Sequence, residues 1–312
     1  MSFSFDTKNE LCKISIQKAC CAQAEAYGIL LYCNTFSTAE IRIVTENPNF
    51  AMRLPPLFQQ AFGIAFDYLP EPEQVGKMIF RIVEQEKLEH IINQLGYDPR
   101  QHPVVHINYA MFFEEECCRS AFLRGCFFAG GSITDPQKRY HLELTTSHLQ
   151  VSRELEVLLR DCGYAPKGLS RNGSFITYFK QSHQIEGFLT RIGAWEAAEN
   201  IRSAKSEKDL RNSVNRRLNC DNANLDKAVL AAIEQIGAIR KLDAAEVLDT
   251  LPEKLKQTAA LRIDRPELTL SELAEEFHPP ITKSCLNHRL RKLICLAEKL
   301  ESERKTKEED TT

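Results

Sequence analysis

The chain has 312 residues, of which 43% are hydrophobic and 27% are charged, and its formal net charge is −3. These values are typical of a folded protein of two or three domains and exclude collagen-like, wholly disordered and uniformly basic chains. No apolar run approaches the ~20 residues that span a bilayer. The first residues are polar and acidic rather than an export signal, so we expect a cytoplasmic protein with no membrane partner.

The 11 cysteines are interpreted as reduced thiols, most of them small buried hydrophobic side chains. Their number is odd, and a chain without an export signal is not expected to carry a disulfide framework. The nearest pairs are the adjacent Cys20 and Cys21 and the adjacent Cys117 and Cys118, and no CxxC spacing occurs. The sequence therefore predicts neither a metal site nor a cofactor.

Hydrophobic periodicity predicts a first half that mixes helices and strands. Helical spacing over 5–25 leads into a buried helical segment at 27–33, and a strand at 39–45 alternates inward Ile41 and Ile43 with outward residues. Further elements are a helix over 50–62, strands near 64–69 and 76–82, and a helix over 85–95 that ends before Gly96.

The same order of elements begins again after Pro103. The second copy has a helix over 117–129, a strand over 139–146, a helix over 147–161, and strands at 167–170 and 174–180 around the hairpin turn Asn172-Gly173. Alternating helices and hairpins are typical of an α+β fold. We therefore predict one domain over 1–200, with pseudo-repeats of about 1–100 and 101–200.

Strand signals disappear after Asn200. Basic residues outnumber acidic residues over 201–224, which predicts a basic linker whose Arg216 and Arg217 contact DNA phosphates; a solvated hinge is the alternative. Helical patterns over 225–239, 244–248 and 252–263 then predict an all-α domain over 225–300. The charged tail at 301–312 is predicted to be disordered.

A helix-turn-helix is predicted over about 269–300. Thr269 and Glu272 have capping-box spacing, and Thr282 or Ser284 can cap a second helix after His278-Pro279-Pro280. The second helix has a buried stripe of leucines. Its outward residues, which are suited to base edges and phosphates, are Lys283, Ser284, Asn287, His288 and Arg291. Arg289 and Lys292 extend the positive face along the DNA backbone. The alternative is the solvated face of a structural helical hairpin, and His288 alone is more typical of a surface histidine.

Three separated motifs resemble the WhiA family of bacterial regulators. They read AFLRGCFFAGGSI at 121–133, NRRLNCDNAN at 215–224 and PPITKSCLNHRLRKL at 279–293. The resemblance covers essentially the whole chain. It implies a degenerate LAGLIDADG homing-endonuclease scaffold of two pseudo-repeats, fused to a helix-turn-helix similar to those of sigma-factor DNA-binding domains. It also implies that two helices, containing 26–34 and 123–131, pack closely through Gly28 and Gly125.

In nucleases with this scaffold each of the two helices ends in an acidic residue that helps bind magnesium, whereas the matching residues here are Cys33 and Gly130. Neither offers the carboxylate oxygen that a hard cation needs, and Asp135-Pro136 is more simply a turn than a displaced ligand. We therefore expect no enzyme activity. The scaffold either reads DNA or serves as a dimer, partner or ligand platform; its candidate cations are Arg139, Lys167, Arg171 and Lys180.

The resemblance thus implies a DNA-binding regulator of the WhiA type, involved in cell division, chromosome segregation or sporulation. It would act on double-stranded DNA at the nucleoid through its C-terminal helix-turn-helix. A metal-dependent endonuclease is an alternative that Cys33 and Gly130 argue against. A non-catalytic scaffold that binds a protein such as a sigma factor is the other alternative, because a basic helix face can also meet an acidic partner.

Overall fold

A computed structural model describes residues 2–71, 74, 76–98, 105–109 and 115–309, with side chains described as far as residue 303. The chain divides into two compact units, Met1–Asp209 and Leu210–Thr312. The predicted start of the second repeat after Pro103 lies outside the described residues. Among the helices described, none combines the length and the apolar character needed to cross a membrane.

In the described residues, the first half of the N-terminal unit has four helices and a three-stranded antiparallel sheet. In chain order they are α1 (Phe3–Cys12), α2 (Ala19–Tyr32), β1 (Thr35–Phe36), β2 (Ile41–Thr45), α3 (Pro48–Phe62), β3 (Met78–Ile82) and α4 (Gln85–Gln94). The helical pattern over 5–25 is therefore two helices. The predicted strand at 64–69 is wrong, because only Tyr68 bridges to a neighbour, Arg81, in this segment.

The second half repeats this order. It comprises α5 (Glu116–Gly130), β4 (Gly131–Ile133), β5 (Leu142–Thr146), α6 (Leu149–Asp161), β6 (Lys167–Arg171), β7 (Ser174–Phe179) and α7 (Ser182–Ile192). Its antiparallel sheet has the order β4-β5-β7-β6, and Asn172 and Gly173 form the predicted turn with φ of 49° and 77°. The α+β class and the internal repeat are confirmed, although the short strands β1 and β4 and the helix α7 were not predicted.

The central helices α2 and α5 pack against each other at backbone distance. A Cβ atom on Gly28 would lie 2.2 Å from the carbonyl oxygen of Phe122, and one on Gly125 would lie 2.0 Å from the carbonyl oxygen of Glu25. Glu25 and Phe122 occupy equivalent places in the two repeats, as do the two glycines. Only glycine leaves room for this approach, so the implied close packing of the two helices is confirmed.

A buried ion cluster lies beside the contact between α2 and α5. The Glu25 side chain is only 2% exposed, and its carboxylate accepts hydrogen bonds from Arg53 of α3 at 2.6 Å and from Arg124 of α5 at 2.8 Å. Arg53 also donates to the carbonyl oxygen of Ile14, and Arg124 to that of Ile192. One carboxylate thus joins cations from both repeats.

The segment predicted as a linker, 201–224, is helical, and the boundary between the two units, at Asp209 and Leu210, lies within it. The structure has a continuous helix, α8 (Trp195–Ala244), through the whole of it. Helix α8 contains no proline, its only glycine is Gly237, and its many Ala, Leu, Lys, Arg and Glu residues have high helix propensity. The excess of basic residues over 201–224 therefore marks a change in composition along the chain but does not interrupt α8.

The C-terminal unit continues with three further helices after α8. A 3₁₀ turn at Leu248–Thr250 replaces the predicted helix at 244–248 and precedes α9 (Glu253–Asp264), α10 (Leu270–Glu275) and α11 (Lys283–Glu309). The disorder predicted for the tail is wrong as far as Glu309. Residues 301–309 are mainly Glu, Lys and Arg, which extend the helix rather than end it.

Candidate nucleic-acid interface

The C-terminal unit has its own apolar core, which fixes the geometry of α10 and α11. It contains Ala238, Ile239, Leu242, Leu255, Ala259, Leu273, Ala274, Phe277, Leu286, Leu290, Leu293 and Ala297. Of the four residues predicted for the buried stripe of α11, Leu286, Leu290 and Leu293 are buried and Ile294 is half-buried. One face of α11 is therefore committed to the core.

Side chains cap both helices of the predicted helix-turn-helix. The Thr269 hydroxyl accepts a hydrogen bond from the Glu272 amide, and the Glu272 carboxylate accepts one from the Thr269 amide at 2.8 Å, which completes the predicted capping box. These bonds hold the pKa of Glu272 below its usual value. Of the two caps considered for α11, the structure selects Thr282, whose hydroxyl accepts from the Cys285 amide at 3.2 Å.

The turn between the helices is tied to the core. The Ile281 amide donates to the carbonyl oxygen of Ala274 at 3.1 Å, and Ile281 packs on the apolar cluster. Upstream, the buried Arg262 guanidinium donates to the carbonyl oxygen of Leu268, just before α10 begins, and burial lowers the pKa of Arg262. These contacts orient α11 relative to α10.

Most of the predicted contact residues lie on the exposed face of α11. Lys283, Ser284, His288, Arg291 and Lys292 are all exposed. Helical periodicity places Ser284, His288 and Arg291 along the middle of this face, opposite the buried leucines. The structure therefore brings these five residues together on one surface.

Two of the predicted contact residues, Asn287 and Arg289, are only partly exposed. Asn287 is half-buried at one margin of the face. Arg289 is also half-buried, and its guanidinium lies 5.5 Å from the centre of the Phe277 ring. Because Phe277 belongs to the core, Arg289 packs on the apolar cluster as well as adding positive charge.

The charged side chains of this face are all positive. Residues 277–297 contain Lys283, Arg289, Arg291 and Lys292 and no aspartate or glutamate. The exposed carboxylates of Glu275 and Glu276 come at the end of α10, before the turn. The arrangement therefore favours an anionic surface opposite α11.

Arg216 and Arg217 lie on α8, in a stretch at 209–227 where every residue is exposed. They are accessible to a phosphate backbone, but they are outside the core that positions α11. The structure therefore places Arg216 and Arg217 on the surface of α8 and not on the exposed face of α11.

The ends of α2 and α5 contain the two positions that nucleases would use for metal. Cys33 lies at the C-terminus of α2, where its thiol is 3.2 Å and 3.1 Å from the carbonyl oxygens of Leu30 and Thr35. Burial raises the pKa of this thiol to about 12. At Gly130 a Cβ atom would lie 2.4 Å from the carbonyl oxygen of Thr145. The residues present do not fit a magnesium ion, since one is a neutral thiol and the other site has no room for a side chain.

The open face of the second sheet has mixed charge. Arg139, Lys167, Arg171 and Lys180 are all exposed. Glu143 lies in register with Ser132 and Tyr178 on the neighbouring strands, and its carboxylate is 3.1 Å from His141. The four cations therefore surround a sheet that also presents a carboxylate.

Sequence reasoning missed two features of these surfaces. Arg42 of β2 lies opposite Arg81 of β3, so the first sheet also presents cations; strand alternation was the signal for them. Cys285 is exposed in the first turn of α11 beside Ser284. Helical periodicity could have placed it on the same face.

The capping box yields a first prediction. Thr269→Ala should lower the free energy of unfolding of the C-terminal unit by about 1 kcal/mol, because the first turn of α10 loses its side-chain acceptor. Urea denaturation followed by circular dichroism would measure it. Ser271→Ala, at an exposed position of the same helix, is the matched control and should stay within about 0.5 kcal/mol of the parent. Equal losses in both variants would contradict the capping argument.

Comparison with known proteins agrees with both halves of this description. Residues 119–211 match the family model described as the WhiA LAGLIDADG-like domain, and residues 214–297 match the WhiA C-terminal HTH domain. The chain is 37% identical over 308 residues to a probable cell division protein WhiA of Ruminiclostridium cellulolyticum, covering 96% of this chain and 98% of the relative. A probable cell division protein WhiA of Alkaliphilus metalliredigens is 33% identical over 311 residues, covering 96% of this chain and 98% of the relative.

Among solved structures, full-length WhiA from Thermatoga maritima superposes with a TM-score of 0.59 at 23% identity, covering 96% of this chain and 99% of that one. This similarity supports the fold. The identity and coverage of the curated relatives, together with the two family models, decide the membership. The chain belongs to the WhiA family and combines a LAGLIDADG-like domain with a C-terminal helix-turn-helix domain.

Proposed function

We propose that this protein is a transcriptional regulator that binds double-stranded DNA through α11 and has no nuclease activity. The observation that carries the proposal is the exposed face of α11, which presents Ser284, His288, Arg291 and Lys292 in a stretch without carboxylates. A capped helix held at a fixed angle behind a short first helix can enter the major groove.

Each side chain on this face has a chemical role in the proposed complex. Arg291 and Asn287 can make paired hydrogen bonds with base edges, and His288 can supply a further donor or acceptor. Lys283 and Lys292 neutralise phosphates, and Ser284 donates a hydroxyl to them. Arg289 adds charge at the margin, and Arg216 and Arg217 contact phosphates from α8.

The ends of α2 and α5 support the absence of nuclease activity. Phosphodiester cleavage with magnesium needs oxygen ligands at the scissile phosphate. Cys33 offers a neutral thiol, and Gly130 is enclosed by backbone and by Tyr32. In this proposal the LAGLIDADG-like domain is a scaffold whose ancestral reaction has been lost.

The names of the relatives support a role in cell division for this chain as well. In the proposal the protein acts at the nucleoid and regulates genes for cell division, chromosome segregation or sporulation.

DNA binding by a double variant tests the proposal. Lys283→Ala with Arg291→Ala should weaken binding of the full-length protein to duplex DNA by about 10- to 100-fold, because a base contact and a phosphate contact are both lost. The slope of log affinity against log salt should fall by about 0.9 for each lost phosphate contact. Fluorescence anisotropy at several salt concentrations would measure both.

A charge-matched control separates the two candidate surfaces. Lys167→Ala with Arg171→Ala removes two exposed cations from β6 and should leave affinity within about threefold of the parent, since rim charges contribute little. If this control abolished binding and the α11 variant did not, recognition would belong to the sheet. The same samples, incubated with magnesium and supercoiled plasmid, should leave the plasmid intact; cutting would overturn the non-catalytic assignment.

A second candidate function is a non-catalytic scaffold that binds a regulatory protein such as a sigma factor. The observation that favours it is a set of exposed apolar side chains along α8: Leu210, Val214, Leu218, Leu225, Val229 and Ile233. Side chains of this kind at helical spacing can dock on another helix. DNA affinity that is unaffected by the α11 variant would favour this function over the first.

A further inference from the structure

Four cysteines from distant parts of the chain meet at the start of α2 and α5. Cys20 and Cys21 are the second and third residues of α2, and Cys117 and Cys118 are the second and third residues of α5. The two pairs stand the same number of residues before Gly28 and Gly125. Because those glycines pack at equivalent positions, the internal repeat brings the two pairs together.

The sulfur atoms are close enough to share one ligand. Those of Cys20, Cys21 and Cys118 all lie within 4.8 Å of one another, and the Cys117 thiol is near that of Cys21. Cys118 is buried and Cys20 is exposed, so the cluster is anchored in the core at one end and open to solvent at the other. None of these residues forms a disulfide.

We propose that Cys20, Cys21, Cys117 and Cys118 bind one zinc ion as a tetrathiolate site that joins the N-terminal ends of α2 and α5. A tetrahedral site with Zn–S bonds of about 2.3 Å sets its sulfurs about 3.8 Å apart, which small rotations of the side chains can reach from the present separations. Soft thiolate ligands select zinc over magnesium or calcium.

The helix ends supply charge that suits this site. On binding, the four thiols release four protons, and the resulting Zn(Cys)₄ group carries a net charge of −2. The cysteines lie in the first turns of α2 and α5, where the positive ends of the helix dipoles favour negative charge. Without metal, burial and the Cys117 thiol raise the pKa of the Cys21 thiol to about 11, and burial raises that of the Cys118 thiol.

Spacing along the chain could not reveal this site. Two adjacent cysteines do not have the spacing of a zinc-binding pair, and the two pairs are almost a hundred residues apart. The expectation of no metal site depended on that spacing alone. Packing of the two repeats supplies the missing proximity.

Zinc content of the full-length protein tests the proposal. Protein purified under reducing conditions and supplied with Zn²⁺ should retain about one ion per chain after gel filtration. Substituting Co²⁺ should give the intense visible bands of a tetrahedral thiolate complex. The melting temperature should rise with metal, because the ion binds the folded state and links two central helices.

The variant Cys20→Ser with Cys118→Ser should lose the stoichiometric zinc and the cobalt bands, and its melting temperature should no longer respond to metal. Cys220→Ser with Cys295→Ser removes two exposed thiols elsewhere and should retain all three signals. Circular dichroism checks that each variant is folded. The single variant Cys20→Ser, at an exposed position, is a second test and should also lose the stoichiometric zinc. The proposal is wrong if the parent holds no stoichiometric zinc, if the first variant keeps it, or if the purified chain links the two pairs by disulfides.

Discussion

The Glu25→Ala variant is expected to lose about 3–5 kcal/mol of stability in the N-terminal unit, because the buried guanidinium of Arg53 and the largely buried one of Arg124 lose their shared counter-charge. The Glu25 carboxylate is bonded to Arg53 at 2.6 Å and to Arg124 at 2.8 Å, and the three side chains are 2%, 7% and 12% exposed, respectively. Urea denaturation of the full-length chain measures the loss. Fluorescence of Trp195, the single tryptophan, reports on the N-terminal unit, and circular dichroism follows the whole chain.

Glu186→Ala is the matched control for this experiment. It removes the partner of Arg202 in an ion pair of 2.7 Å whose arginine is 57% exposed. Surface pairs contribute about 0–1 kcal/mol, since water solvates the arginine once the pair is broken. If Glu25→Ala and Glu186→Ala lower the free energy of unfolding by the same amount, the buried ion cluster does not stabilise the fold more than a surface ion pair does.

A second large effect is expected for Gly28→Ala, which should destabilise the same unit by about 2–3 kcal/mol. The added Cβ atom would lie 2.2 Å from a carbonyl oxygen of α5 and 2.8 Å from an amide nitrogen of the same helix. Because both neighbours are backbone atoms, no side-chain rotation relieves the clash, and the two helices must separate. The denaturation midpoint of the full-length protein measures the effect.

The control for this substitution is Gly237→Ala in α8. A Cβ atom there would meet nothing within 4 Å, so the alanine adds helix propensity without a clash. The expected result is a gain of up to about 1 kcal/mol. Opposite signs for the two variants would support the packing argument, and a neutral Gly28→Ala would refute it.

The sequence predicted those parts of the fold that are determined by local patterns. Alternation along β2, the turn at Asn172 and Gly173, and the capping box at Thr269 each depend on a few neighbouring residues, and each is confirmed. The approach of α2 to α5 through glycines was available only from the resemblance. Its cause is a contact between residues almost a hundred positions apart.

The errors arose where composition was compatible with more than one structure. The basic segment at 201–224, predicted to be a linker because strand signals end there, contains the boundary between the two units, but its helical structure was not predicted: lysine and arginine are good helix formers, and α8 continues through it. The charged tail was misjudged for the same reason. Arg289 was predicted to extend the positive face of α11, and its contact with the Phe277 ring, which joins residues of two helices, was not predicted.

Of the candidate site, the sequence predicted the face of α11 because burial and exposure on a helix follow from its period. It could not predict the cysteine cluster, since that depends on the register between two repeats. The contribution of the α11 face to DNA affinity is measured by the Lys283→Ala and Arg291→Ala double variant.

The buried ion cluster also determines which halves of the molecule can pair. Glu25 in the first repeat is matched by Phe122 in the second, and Arg124 is matched by Tyr27, so the contact between α2 and α5 is not self-complementary. Two copies of α5 would bury a pair of Arg124 side chains with no carboxylate between them, and two copies of α2 would place two Glu25 side chains together. A single charged residue thus selects the union of unlike repeats within one chain over the exchange of like repeats between two chains.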